Sequence, residues 1–325
     1  MKINHCPGTL AKGFKTYSRT CLNRLFEGRK VSHVLPYEAP NSNLQTDKLF
    51  EDNQKRISIS GMQEKFSMLM VKNELRLIKE GEQGTYILKP IPHVGTRRDQ
   101  MPANEHLTMQ IARQVYNIET AENALIFFKN EAPAYITKRF DVNPDGSKNA
   151  KEDFATLAGK TPQTHGEHYK YEGNYLELFH LMKKYIPAFR VETPQLFKLL
   201  LFNYLFSNGD AHLKNFAILE TPMGDHRLSP AYDLLNTRIH VDDSNFALEE
   251  GLLPKSMAQT TIAGQFKILA NQVEIKREQF NQIMTSMMEG SEKVIELTEA
   301  SFLEESTKRN YIQDYQYRFK QLQKK

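Results

Sequence analysis

Strand-like and helix-like patterns are segregated along this chain, and no other feature limits the possible folds as strongly. Phe66-Ser-Met-Leu-Met-Val71, a Lys-Asn-Glu turn and Leu75-Arg-Leu-Ile78 read as two strands about a hairpin. Thr85-Tyr-Ile-Leu-Lys-Pro90 reads as a third strand, stopped by its proline. Leu125-Ile-Phe-Phe128 and Ala134-Tyr-Ile-Thr137 flank a second Lys-Asn-Glu and predict another hairpin. Residues 91–103, with their Pro, Gly, His and Arg, read as a mobile loop. After it, Leu107, Ile111, Ala112 and Val115 share one face of a helix that Asn104 is placed to cap. Beyond Asp141 the patterns turn helical, at about 175–186, 194–207, 261–271, 276–288 and 292–322. Strands first and helices afterwards predict an α+β chain of two lobes, one small and β-rich and one mostly helical, with a cleft between them. The expected divisions are a polar extension over 1–55, a strand-rich lobe over 56–141 and a helical lobe over 142–325.

The chemistry is concentrated in Phe206-Ser-Asn-Gly-Asp-Ala-His-Leu-Lys-Asn-Phe-Ala-Ile-Leu219. Asp210 stands five residues before Asn215, between a buried helix-like run over 197–206 and a strand-like run over 216–219. Phosphoryl transfer needs a carboxylate that accepts or orients the nucleophile's proton, and oxygen ligands for a divalent cation. Protein kinases supply these with an Asp and, five residues on, an Asn. Asp233, at the end of Leu228-Ser-Pro-Ala-Tyr-Asp233, is a second oxygen ligand of the type Mg²⁺ prefers. Lys89, at the end of a strand, is the candidate to neutralise nucleotide phosphates. Taken singly, each has a plainer reading: Asp-x4-Asn recurs by chance, Asp233 fits a helix N-cap and Lys89 a solvated strand end. Together, in order and on the expected elements, they point to phosphotransfer.

Arg56-Ile-Ser-Ile-Ser-Gly-Met-Gln-Glu-Lys-Phe66 occupies the place of a phosphate loop but holds one glycine, Gly61, instead of G-x-G-x-x-G. Ser58 and Ser60 offer hydroxyls and backbone N–H groups to phosphate oxygens, and Lys65 adds charge; the alternative is a polar turn before a strand. His165-Gly-Glu-His168 does not match H-E-x-x-H and reads as a solvated loop.

Composition narrows the class further. The 325 residues, 40% hydrophobic and 25% charged, suffice for two lobes with their own cores. No apolar run approaches the ~18 residues of a membrane span. The first residues lack the apolar core of a signal peptide. Two cysteines, Cys6 and Cys21, cannot build a disulfide framework, and with His5 they match no standard zinc spacing, so thiols in a reducing cytoplasm are expected. A net charge of +4 suits an anionic substrate such as a nucleotide without requiring nucleic acid. Lys308–Lys325 reads as a terminal amphipathic helix.

Six stretches in order, "ISISGMQEKFSMLM", "YILKP", "NEHLTMQIAR", "YITKRFD", "NGDAHLKNFAIL" and "LSPAYDLLNT", together resemble the HipA family of bacterial serine/threonine kinases over roughly residues 56–240. The resemblance implies a protein-kinase-like two-lobed fold that uses ATP and Mg²⁺. It implies Asp210 as catalytic base, with His212 in support near the phosphates, and Asn215 and Asp233 as Mg²⁺ ligands. Ser58, Ser60, Gly61, Lys65 and Lys89 would contact ATP phosphates. Phe140 would lie near adenine and Asp141 near the ribose, at a hinge through Lys138–Asp141. Loop 91–103, with Arg97 and Arg98, would dock substrate.

Two departures from the longer HipA proteins stand out. Only about 55 residues precede Arg56, which resembles the compact HipT type, whose missing subdomain comes from a small HipS-like antitoxin beside a HipB-like DNA-binding protein. The pair Ser58 and Ser60 resembles the autophosphorylation serines of that type. A phosphoserine adds about −1.5 to −2 charge, which would repel ATP phosphates from the loop and silence the kinase. The implied substrate is an aminoacyl-tRNA synthetase, the tryptophanyl enzyme first, whose phosphorylation arrests translation and growth. Direct contact with nucleic acid or membrane is not expected. The implied compartment is the bacterial cytoplasm, with export as an effector the alternative. Two other readings remain open: a small-molecule phosphotransferase, and an inactive kinase-fold binding module. Against the first stand Asn-Gly before Asp210, where that class carries His, and the mildly basic charge. Against the second stand the intact Lys89, Asp210, Asn215 and Asp233.

Overall fold

A computed structural model of the chain describes residues 3–40 and 64–324, so Ser58, Ser60 and Gly61 lie outside the described residues. The chain forms two compact units, and neither is one continuous stretch. The first is Met1–Gln110, Ala121–Ser147 and Glu296–Lys308; the second is Ile111–Thr120, Lys148–Ile295 and Arg309–Lys325.

Five antiparallel strands organise the first unit: β1 (Phe66–Val71), β2 (Glu74–Leu77), β3 (Tyr86–Lys89), β4 (Asn123–Phe127) and β5 (Pro133–Lys138), in the order β2-β1-β3-β5-β4. Both Lys-Asn-Glu segments turn hairpins, β1 to β2 and β4 to β5, as their flanking apolar runs predict. Helix α1 (Arg19–Phe26) begins at Ser18, whose side chain accepts from the Cys21 N–H. The N-terminal segment is part of the same core. Cys6, Tyr17, Cys21, Leu25, Phe26 and Leu35 bury with Phe66, Met68, Tyr86, Leu88 and Ile136. Its backbone also covers the edge strand β4, where Leu125 N–H donates to Pro7 O and Phe127 N–H to His33 O, both at 2.8 Å. An edge paired in this way has no free ladder to offer another chain.

Helix α2 (Met101–Gln114) starts at Met101, four residues before the first position that a cap at Asn104 would allow. Asn104 is therefore inside the helix and fully buried, with its carbonyl accepting from the Thr108 hydroxyl at 2.9 Å. The expected loop 91–103 is correspondingly shorter: Arg98–Gln100 forms a 3₁₀ turn that runs into α2. Arg97, expected at a docking surface, donates to Ser306 Oγ (3.2 Å) and Thr307 Oγ1 (3.1 Å) of the same unit.

The second unit contains a small sheet of β6 (Lys151–Asp153), β7 (Ala217–Glu220) and β8 (His226–Leu228), with β7 in the centre. It also contains α3 (Phe154–Leu157), α4 (Pro162–His165), α5 (Leu176–Tyr185), α6 (Phe189–Leu205), α7 (Ile262–Gln272) and α8 (Arg277–Glu289). Helix α6 is buried almost all round from Leu196 onward, the pattern of a central core helix. It begins five residues before Pro194, so the proline falls within the helix and not at its start. Proline there removes one backbone donor, which the burial of ten residues of α6 outweighs.

The single helix expected over 292–322 is two, α9 (Ser291–Glu299) and α10 (Glu305–Gln323). The break has a local cause. Ser301 Oγ donates to Thr298 O at 2.6 Å, a side-chain bond that competes with the helical ladder. Glu304 N–H then turns away to Gln100 Oε1 at 2.8 Å.

Candidate active site

The loop from Phe206 to Asn215 leaves the end of α6 and is clamped from several sides within the second unit. Ser207 takes φ +53, and Gly209 follows two residues on. A Cβ on Gly209 would meet Asp243 Cγ at 2.5 Å, so any larger residue would have to push the Asp243 carboxylate aside. The Gly209 N–H donates to Thr237 Oγ1 at 2.9 Å, and that hydroxyl lies within bonding reach of Ser207 O (3.0 Å) and the Asp243 carboxylate. Asn208 Nδ2 reaches Asn203 Oδ1 at 3.0 Å and Asp233 O at 3.4 Å. The Tyr175 hydroxyl donates to Ala211 O at 2.7 Å.

These bonds present Asp210 at the exposed tip of the loop, where Tyr171 donates its hydroxyl to Oδ1 at 2.9 Å. Behind Asp210 the backbone turns back on itself. The His212 N–H contacts Asp210 O (2.7 Å) and Asn215 Oδ1 (3.1 Å), and Leu213–Asn215 is a 3₁₀ turn. Asn215 Nδ2 donates to Asp233 Oδ2 at 3.3 Å. Asp233 itself takes the left-handed conformation, φ +55. It does not cap a helix, since extended chain follows it as far as the 3₁₀ turn Thr237–Ile239. The neighbouring Tyr232 hydroxyl donates to Lys214 O at 2.9 Å, tying the two segments together a second time.

The second unit thus brings Asp210, His212, Asn215 and Asp233 into one connected network. Asn215 and Asp233 offer a carboxamide and a carboxylate, the all-oxygen set that suits a hard cation such as Mg²⁺. Among the described residues no cluster of three or more His, Cys, Asp and Glu could form an all-protein cage. Two protein oxygens completed by substrate phosphates is the arrangement Mg²⁺ favours. His212 is buried, with its ring edge-on to Tyr171 at 5.3 Å between centroids. Burial, with Lys170 and Lys214 adding to it, lowers its pKa to about 3, so the imidazole is neutral near pH 7. Its Nδ1 has no hydrogen-bond partner among the described residues.

Lys65, Lys89, Phe140 and Asp141 belong to the first unit. Lys89 ends β3 and is 4% exposed; its Nζ contacts Glu105 Oε1 at 2.6 Å. The ammonium also sits 5.3 Å from the ring centroid of Tyr135, its cross-strand partner on β5. Sequence reasoning missed Glu105. A buried strand-lysine to helix-glutamate pair is a recurring kinase device, and the available signal was a Glu in the helix after the Lys89 strand. Lys65, half-buried, stands immediately before β1. Phe140 is half-buried after β5. Asp141 is gripped by Arg139 through both carboxylate oxygens, at 3.0 and 2.5 Å, so a ribose contact there would share the carboxylate with a guanidinium.

Known proteins resemble this chain in sequence and fold. A candidate kinase of Haemophilus influenzae is 25% identical over 265 residues, covering 77% of this chain and 72% of that protein. The candidate kinase Y4dM of Sinorhizobium fredii is 30% identical over 223 residues, 63% of this chain and 51% of that protein. A second, Y4mE, is 29% identical over 58% of this chain and 44% of its own. The chain therefore spans about half the length of the two Sinorhizobium relatives. Among solved structures, HipA of Shewanella oneidensis, in complex with HipB and its operator DNA, matches with a TM-score of 0.62 at 19% identity. That match covers 81% of this chain and 63% of HipA. The proinflammatory kinase CtkA of Helicobacter pylori matches with a TM-score of 0.52 at 14% identity, over 78% of this chain and 90% of CtkA. These likenesses establish the α+β, kinase-like fold. Residues 57–295 match the family described as the HipA-like C-terminal domain, more than half of the chain, and the chain belongs to that family.

Proposed function

We propose that the chain is a serine/threonine protein kinase that uses ATP and Mg²⁺. One observation carries this reading: Asp210 stands exposed at the tip of a clamped loop, with Asn215 and Asp233 hydrogen-bonded to each other behind it. In the proposed reaction an acceptor hydroxyl oxygen forms a bond to the γ-phosphorus, the bond from that phosphorus to the β-phosphate bridging oxygen breaks, and ADP leaves. The hydroxyl proton passes to the Asp210 carboxylate. Asn215 and Asp233 would hold Mg²⁺, which when bound neutralises phosphate charge. Lys89, fixed by Glu105, supplies a positive charge for the α- and β-phosphates. Neutral His212 packs behind the loop and supports it without adding charge.

The finer parts of the reading rest on the resemblance to HipA and HipT proteins. The proposed substrate is a serine of an aminoacyl-tRNA synthetase, the tryptophanyl enzyme first. The proposed partners are a small HipS-like antitoxin and a HipB-like protein; HipB accompanies HipA in the Shewanella complex. Ser58 and Ser60 are proposed as autophosphorylation sites, on the electrostatic ground that phosphate there repels ATP.

The test is intact-mass spectrometry of wild type and Asp210→Asn, each incubated with Mg²⁺ and ATP, alone and with tryptophanyl-tRNA synthetase. The expected result is phosphate added by wild type only, on Ser58 or Ser60 and on a synthetase serine. Equal phosphate incorporation by Asp210→Asn would remove Asp210 from the role. Incorporation by neither, with ATP bound, would favour the binding module.

A further inference from the structure

Helices α6 and α8, residues 117–119 and the chain around β8 line a cavity of about 440 Å³, open to solvent on one side, in the second unit. Its lining includes none of Asp210, His212, Asn215 and Asp233. The volume falls in the ~300–1,000 Å³ range of small-molecule sites. The floor is apolar, with Leu199, Leu228 and Ile283 all buried. The rim is amide-rich: Gln195 of α6 faces it, as do Gln279 and Gln282 of α8.

The charge inside is unbalanced. Lys198 lines the cavity half-buried, and among the described residues no hydrogen bond or ion pair engages its ammonium. Burial alone depresses its pKa, the mark of a cation that has lost water without gaining a counter-charge. The acidic residue of the lining, Glu119, does not supply that charge: it is exposed and paired with Arg227. Lys198 and Gln195 lie three residues apart on one helix face, as do Gln279 and Gln282 on the other. One ammonium and several carboxamide N–H donors therefore converge above an apolar floor.

We propose that this cavity is a binding site for a small solute carrying one oxyanion head group, a phosphate or a carboxylate. The head group sits on the Lys198 ammonium, the amides of Gln195, Gln279 and Gln282 complete its hydrogen bonds, and a short carbon body covers the floor. The site is separate from phosphoryl transfer and stands whether or not that reading holds. It has one structural link to the metal-site candidate. Ala231, in the cavity wall, donates its N–H to Glu119 O at 2.8 Å and precedes Asp233 by two residues.

The experiment is calorimetric titration of the full chain with inorganic phosphate and, separately, butyrate, for wild type, Lys198→Met and Asp233→Asn. Wild type should bind at least one probe. Lys198→Met should weaken that binding about tenfold or more, the loss expected of one charge-assisted hydrogen bond. Asp233→Asn should bind as wild type does. Phosphate alone, butyrate alone or both would each support the site and assign its head group. Binding unchanged in Lys198→Met, binding lost in Asp233→Asn, or no heat with either probe would each overturn it. Lys198→Gln repeats the comparison with a hydrogen-bonding side chain, should Met disturb the fold.

Discussion

The Tyr171 hydroxyl donates to Oδ1 of Asp210 across 2.9 Å, which is where an acceptor hydroxyl would present its proton to a base. Burial first, and then the Asp210 charge, raise the Tyr171 pKa, so the phenol stays protonated near neutral pH. Lys170 lies 4.8 Å from the centroid of the same ring. If Asp210 is the base of the proposed reaction, the tyrosine competes with substrate for its carboxylate.

Tyr171→Phe removes that competitor and keeps the ring against His212. A hydrogen bond to a charged group contributes about 1.5–3 kcal/mol, with an exposed site at the low end. We expect kcat/KM toward a protein substrate to rise several-fold, up to roughly tenfold. Initial rates with varied substrate would measure it. A lower kcat at unchanged KM would instead make Tyr171 a residue that holds Asp210 in position.

The Lys89–Glu105 pair sets a second expectation. Both side chains are nearly inaccessible, and removing one partner leaves the other's buried charge without its ion-pair counterpart. Such a loss costs about 3–5 kcal/mol, whereas replacing both partners with apolar side chains can be close to neutral. Urea unfolding should therefore rank Glu105→Leu well below Lys89→Met/Glu105→Leu, with the double variant near wild type. Phosphoryl transfer should be lost in both. A double variant as unstable as the single one would mean that the pair is not coupled.

What was legible in the sequence followed from local chemistry. Apolar runs around Lys-Asn-Glu located both hairpins. Spacing singled out Asp210, Asn215 and Asp233, and the structure hydrogen-bonds the last two to each other. What was missed depends on distant neighbours. Glu105 is an ordinary helical glutamate until α2 brings it to Lys89, sixteen residues away. The return of Glu296–Lys308 to the first unit was not legible, because the helix break inside it is fixed partly by the bond from Glu304 N–H to Gln100, distant in sequence. Tyr171 approaches Asp210 from a polar loop 39 residues upstream, where periodicity carries no information.

Asp233 permits its function to be separated from its fold. A side chain at φ +55 strains most residues by about 1–2 kcal/mol, whereas Asn tolerates that region. Asp233→Asn should melt close to wild type and Asp233→Ala measurably lower, with phosphoryl transfer lost in both. Thermal melts beside an ATP-turnover assay decide this. An Asp233→Asn protein that turns over ATP at the wild-type rate would remove Asp233 from the metal role.

The pH dependence of stability should carry the signature of His106. This side chain is fully buried in α2; its Nε2 lies 3.3 Å from Gly8 O, and its Nδ1 has no partner among the described residues. Burial lowers its pKa from 6.5 to about 4, so between these values the folded protein keeps it neutral while the unfolded chain protonates it. The unfolded state then binds more protons, and folding is disfavoured as the medium becomes acidic. The contribution is intact above about pH 6.5 and declines toward pH 4, by about 1.4 kcal/mol per pH unit for one group. Buried His212 and part-buried His33, both lowered in the same direction, add to the wild-type slope. Glu82, held down to about 2 by Arg76, acts only at lower pH, below the ordinary carboxylate value of 4.5. His106→Gln keeps an N–H donor for Gly8 and cannot titrate. Urea unfolding at pH 7, 6 and 5 should therefore give a shallower slope for His106→Gln than for wild type, with the difference confined to this window. Parallel slopes would mean that His106 protonates within the folded protein as readily as outside it.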